Sequence, residues 1–159
     1  MKHITLAAEM VRAILEGNKT QTRRPVTSKN STASWPVGEF LQADISEGRD
    51  PHDGKHKPFV PILPSRNSIT NLEPIWEPGD RLQVKDGPVL EVVSVRAERV
   101  QDIKEPDCWA EGFADCAEIN CSCCFNRFRR CWDSIYHKKP DLNWNANPFV
   151  WVISFKVVP

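Results

Sequence analysis

The chain is 159 residues long and carries 21 basic against 21 acidic side chains, a formal net charge of zero at pH 7. That length suits one domain able to bury a core without staples, and the balance of charge excludes a global pull toward nucleic acid or an anionic membrane. No run approaches the ~20 apolar residues of a membrane span. The N-terminal Ile4-Thr5-Leu6-Ala7-Ala8 is broken by Glu9 before it forms a signal core, so a cytoplasmic location is expected.

Ile4-Thr5-Leu6 predicts a short first strand. Met10, Val11, Ile14 and Leu15 then recur as the apolar stripe of a short helix, stopped at Gly17-Asn18 because glycine accepts the left-handed conformation past a helix end. Lys19-Thr20-Gln21-Thr22-Arg23-Arg24 follows, with three cations, two hydroxyls and no apolar side chain. This composition predicts a surface loop that meets an anion or a polarised carbonyl; a merely solvated loop reads the same way. Arg24-Pro25 makes an extended exit.

Residues 26–75 are the least organised part, rich in proline and polar side chains, and are expected to be a functional flap or a poorly ordered insert. Within them Phe59-Val60-Pro61-Ile62-Leu63 can pair as a hairpin or pack on the body of the fold. Order returns at the Glu77-Pro78-Gly79-Asp80 turn. Arg81 to Lys85 alternates with period two, and after Asp86-Gly87-Pro88 the stretch Val89 to Val100 is the longest strand signal. Pro106-Asp107 starts a short helix through Glu111, stopped at Gly112. Phe125, Phe128, Trp132 and Ile135 predict a second, longer helix. The last run places Phe149, Trp151, Ile153, Phe155 and Val157 on one face and Val150 and Val152 on the other, as in a strand buried on both sides.

Charges are uneven despite the zero sum. Arg12, Lys19, Arg23, Arg24 and Lys29 form one basic region, and Arg127, Arg129, Arg130, Lys138 and Lys139 another. Local patches of this kind can bind a polyanion, although a solvated helix face gives the same counts. Trp109 and Trp144 can stack on a base or simply pack. Cys108, Cys116, Cys121, Cys123 and Cys124 cluster, with Cys131 beyond. In a cytosolic chain this favours metal or free thiols over disulfides. The spacing does not give two separate C-x2–4-C pairs, so a structural zinc at Cys116–Cys131 is one reading and a loop of reduced thiols the other; no cofactor is required.

The run from Met10 to Arg24 resembles the signature of ASCH-domain proteins, in particular small phage and prophage ones, and Pro78-Gly79-Asp80-Arg81-Leu82 and Phe128 to Phe155 resemble that family's later segments. ASCH domains are similar to PUA domains. The resemblance implies an α+β fold over residues 1–159, a small PUA-like β-barrel of about five to six strands with flanking helices, and a cleft for RNA or a nucleoside. In ASCH-like acetylcytidine amidohydrolases a Lys, a Thr three positions later and a distant Glu are catalytic; these fall on Lys19, Thr22 and Glu111. A threonine hydroxyl needs a neighbouring base before it attacks, and Arg23 or Arg24 can polarise a carbonyl.

Three functions follow as expectations. The first is binding of RNA or a modified nucleoside through Lys19, Thr20, Arg23, Arg24 and Trp109. The second is hydrolysis of an acylated cytidine, or ribonuclease action, by Lys19, Thr22 and Glu111. The third is an accessory role in phage infection, in the bacterial host cytoplasm, with a protein partner on the insert at residues 26–75.

Overall fold

A computed structural model describes residues 1–27, 29–31, 46–49, 56–65, 68–114 and 122–159. The fold is α+β. Its central sheet has five strands: β1 (Lys2–Ile4), β2 (Gln21–Pro25), β6 (Arg81–Val84), β7 (Val89–Arg99) and β8 (Phe149–Val158), in the order β1-β6-β7-β8-β2. The β1–β6 pair is parallel and the other pairs are antiparallel. Among the described residues three α-helices accompany it: α1 (Ala8–Leu15), α2 (Glu105–Ala110) and α3 (Cys123–Tyr136). Among the described residues no helix is long and apolar enough to cross a membrane.

The two faces of β8 explain why its sequence is apolar almost throughout. Phe149, Trp151, Ile153 and Phe155 join Ile4, Ile14, Leu82, Val84, Leu90 and Val92 in one core. Val150 and Val152 turn the other way, toward Val100, Cys108, Phe128 and Trp132. Each fully buried aliphatic or aromatic side chain contributes about 1.5–3 kcal/mol of transfer free energy, so β8 anchors both layers. Val157, expected on the buried face, is exposed near the strand end, and Leu15 of the α1 stripe likewise faces out.

The expected barrel is corrected to an open sheet. β1 and β2 are its two edges and do not pair with each other. β1 has only three residues, and the chain turns off at Thr5 toward α1, so no backbone ladder can close the seam. Across it the Arg24 guanidinium donates instead to the Thr5 carbonyl at 2.6 Å.

Within residues 26–75, expected to be poorly organised, β3 (Ser46–Arg49), β4 (His56–Ser65) and β5 (Ser68–Leu72) form a three-stranded antiparallel sheet. The Phe59–Leu63 run indeed pairs, within β4. The rest of that expectation falls on residues 28, 32–45, 50–55 and 66–67, outside the described residues.

Candidate functional site

The turn after α1 brings the basic stretch inward. Gly17 sits at φ +76°, and the backbone N–H groups of Asn18 and Lys19 both donate to the Ala13 carbonyl. The chain reverses there and enters β2 with the burial of a core segment: Lys19, Gln21, Thr22 and Arg23 are all at most 5% exposed. The expectation of a solvent-facing cationic loop is therefore corrected. Cations can be buried here because carboxylates from β7 and α2 neutralise them.

Lys19 Nζ donates to Glu111 Oε2 and to the Glu111 backbone carbonyl, both at 2.9 Å. The other carboxylate oxygen of Glu111 accepts from Arg23 Nη1 at 2.9 Å. Arg23 also donates through Nε to Glu98 Oε1 at 3.1 Å, pairs with that oxygen through Nη2, and lies 3.4 Å from Asp107 Oδ2. Arg96 and Gln21 close the network on Asp107 at 2.9 and 3.2 Å. Three cations (Lys19, Arg23, Arg96) thus meet three carboxylates (Glu98, Asp107, Glu111). The cluster sums to zero. Burial alone would lower the Arg23 pKa, but Glu111 and Glu98 outweigh it and hold it above the usual arginine value. Burial would raise Asp107, yet hydrogen bonds from the Lys104 N–H and Gln21, with the charges of Arg23 and Arg96, hold it below the usual carboxylate value.

Against this network, at the free edge of β2, opens a cleft of about 120 Å³. Thr5, Leu6 and Ala7 form one side of it, and Lys19, Thr22, Arg23, Arg24 and Glu111 the polar end. Phe113, Phe128, Trp132 and Tyr136 form an aromatic wall on the α3 side. Phe113 and Phe128 meet edge to face at 6.2 Å, and Arg23 lies 5.8 Å over the Phe128 ring. Thr22 is 5% exposed, and among the described residues its hydroxyl makes no hydrogen bond. Burial pushes the Tyr136 hydroxyl up against the opposing charge of Arg24, and the Cys131 thiol up against that of Lys19. Roomier grooves of about 440 and 490 Å³ lie nearby, but no buried ion pair lines them.

Five of the residues expected at the site therefore meet: Lys19, Thr22, Arg23, Arg24 and Glu111. Two do not line the cleft. Thr20 is exposed and acts through its backbone, which bonds Ala110 and Phe155. Trp109 is 45% exposed on α2. Glu98, Asp107 and Arg96 were not legible as site residues. Their one signal was Arg96 and Glu98 two apart in a strand, hence on one face.

Of the candidate zinc ligands, Cys116 and Cys121 lie outside the described residues. Cys108, Cys124 and Cys131 form no disulfide. Cys123 is disulfide-bonded, contrary to the expectation of metal or free thiols, and so is not available as a thiolate ligand. Among the described residues no group of three or more His, Cys, Asp or Glu is placed to hold a metal.

No family model and no curated protein matches the chain. Its fold is similar to that of the crystallised ASCH domain from Lactobacillus crispatus JV V101, with a TM-score of 0.52 and 14% identity over 98% of this chain and 79% of that one. A protein from Enterococcus faecalis V583 described by the DUF984 family model aligns with a TM-score of 0.48 and 14% identity over 99% and 80% of the two chains. The chain has the ASCH-domain fold.

Proposed function

We propose that the protein binds a single nucleobase, of RNA or of a modified nucleoside, in the cleft between residues 5–7, β2 and α3. The observation that supports this most is the pairing of a polar end, whose Lys19 and Arg23 are matched by carboxylates, with an aromatic wall in one space of about 120 Å³. That volume is well below the ~300 Å³ of sites that engulf a drug-sized ligand, and it suits one flat ring with the rest of the ligand outside. An uncharged heterocycle has the matching chemistry: polar edges for hydrogen bonding and faces for stacking. Two of the cations at the polar end, Lys19 and Arg23, already face Glu98 and Glu111. Titration with the four ribonucleosides and acetylcytidine, followed by calorimetry, tests the reading. Binding weakened by about tenfold or more in Thr22→Val, whose shape is nearly kept, is the expected result. Absence of binding by every nucleoside and by single-stranded RNA would end it.

A second reading, hydrolysis of an acylated cytidine, is favoured by the unpartnered Thr22 hydroxyl in the same cleft as the Lys19–Glu111 pair. Thr22 Oγ would add to the acyl carbon as its proton passes to the Lys19–Glu111 pair. The C–N bond would break with that proton delivered to the departing amine, and water would then cleave the acyl ester. Release of acetate from acetylcytidine by the wild type, lost in Thr22→Val, would establish turnover over binding alone.

A further inference from the structure

A groove of about 440 Å³ shares Tyr136 with the cleft as a wall residue. Their charges differ in kind. Lys19 and Arg23 are buried and paired with carboxylates. Lys29, Lys138 and Lys139, which line the groove, are exposed, and among the described residues none of them has a carboxylate within ion-pair distance. Among the described residues Asp141 is the one acidic side chain on the wall, against three lysines. Lys138 and Lys139 follow the last turn of α3, where cations also complement the helix dipole. That role cannot explain Lys29, which reaches the same groove from the segment after β2.

We infer that the groove holds the phosphate of the nucleotide whose base enters the cleft, with Lys29, Lys138 and Lys139 as its cationic contacts. The inference rests on the base-binding reading and adds to it that the ligand is phosphorylated. Chemistry is divided across Tyr136: an end where Lys19 and Arg23 are paired with carboxylates for the base, and a groove of unpaired lysines for the anion. The Tyr136 ring, with Lys139 Nζ 6.0 Å from its centroid and Trp132 at 4.5 Å, marks the junction where a sugar would lie.

The test compares the full chain with the Lys29→Gln, Lys138→Gln, Lys139→Gln triple variant, whose changes are all at exposed positions. Probes are a nucleoside, its 5′-monophosphate, a short single-stranded oligonucleotide and inorganic pyrophosphate. The wild type is expected to bind phosphate-bearing ligands at least roughly tenfold better than the plain nucleoside. The triple variant should lose that preference and keep nucleoside affinity. For the oligonucleotide, the slope of log affinity against log salt should flatten by about 2, at ~0.7 per phosphate contact. A gain already present with the monophosphate assigns a nucleotide ligand; a gain only with the oligonucleotide assigns a strand. An unchanged preference in the triple variant, or equal wild-type affinity for plain and phosphorylated forms, overturns the groove and leaves the base cleft standing. Pyrophosphate and oligonucleotide binding through the lysines with no nucleoside binding keeps the groove and sinks the base cleft. No binding of any probe removes both.

Discussion

Lys19 and Glu111, 92 positions apart, are bonded twice: the ammonium donates to both the carboxylate and the backbone carbonyl of the same residue. One contact is an ion pair. The other fixes the end of α2 on the turn that follows α1. Because Arg23 takes the remaining oxygen of Glu111, this carboxylate is the single counter-charge shared by two cations whose side chains are at most 2% exposed.

Removing the Glu111 charge should therefore cost far more than an exposed ion pair would. Breaking a buried pair from one side leaves an uncompensated charge and costs about 3–5 kcal/mol. Glu111→Ala is expected to lose that much by urea unfolding, and Glu111→Gln somewhat less, since an amide oxygen still accepts. Adding Lys19→Met to Glu111→Gln should recover part of the loss, because one stranded charge goes with it. A Glu111→Ala protein within about 1 kcal/mol of wild type, the scale of a surface pair, would show that water reaches the cluster.

What could be read from the sequence depended on which physical signal each element carries. β8 is buried on both faces and nearly uniformly apolar, so its length and two-sided role were plain. Gly17 and Gly112 announced their helix ends, and both adopt positive φ. The Lys19–Arg24 stretch misled because burial of charge has no local signature. It depends on Glu98, Asp107 and Glu111, which arrive from 75 to 92 positions away. Closure of the sheet was equally illegible, since whether β1 meets β2 depends on where the chain leaves at Thr5. The convergence of Lys19, Thr22 and Glu111 was expected only through family resemblance, as nothing in their spacing brings them together.

Asp107 sets an acid limit on the cluster. Its folded pKa lies below the usual carboxylate value, so the unfolded chain takes up its proton first as pH falls. The contribution is thus fully present above the unfolded value and is lost as pH drops through the folded one, a window below about pH 4. Asp107→Asn should unfold more easily at pH 7 and show a shallower loss of urea midpoint between pH 4 and 2 than wild type. Parallel curves for the two proteins would mean that other carboxylates govern the acid limb.

Cys108 acts at the alkaline end. It is wholly buried beside Cys124, and burial, reinforced by that neighbour, pushes its thiol from 9.0 up to about 12. The unfolded chain then releases the proton before the folded one does. Stability is fully present below about 9 and declines as pH rises from there toward about 12. Cys108→Ala should flatten the fall in melting temperature across that window whatever it does at pH 7. Native Cys108 should also resist thiol reagents at pH 8, while the half-buried Cys131 in the cleft reacts first.

Gly112 connects backbone geometry to the site. Its φ of +101° follows Glu111 directly and lets the chain turn out of α2 with the Glu111 carbonyl aimed at Lys19. A Cβ there would meet Ala13 Cβ and Lys19 Cβ at 3.5 Å, ordinary contact, so the cost of Gly112→Ala is conformational rather than steric. About 1–2 kcal/mol is expected. Gly79, at φ +91° with nothing near its Cβ position, is the matched control. Gly79→Ala should lose similar stability and bind a nucleoside as wild type does. Gly112→Ala should lose both, because relaxing its strain moves the Glu111 carbonyl and, with it, Lys19. Equal ligand affinity in the two variants would mean that the cleft does not depend on the turn that carries Glu111.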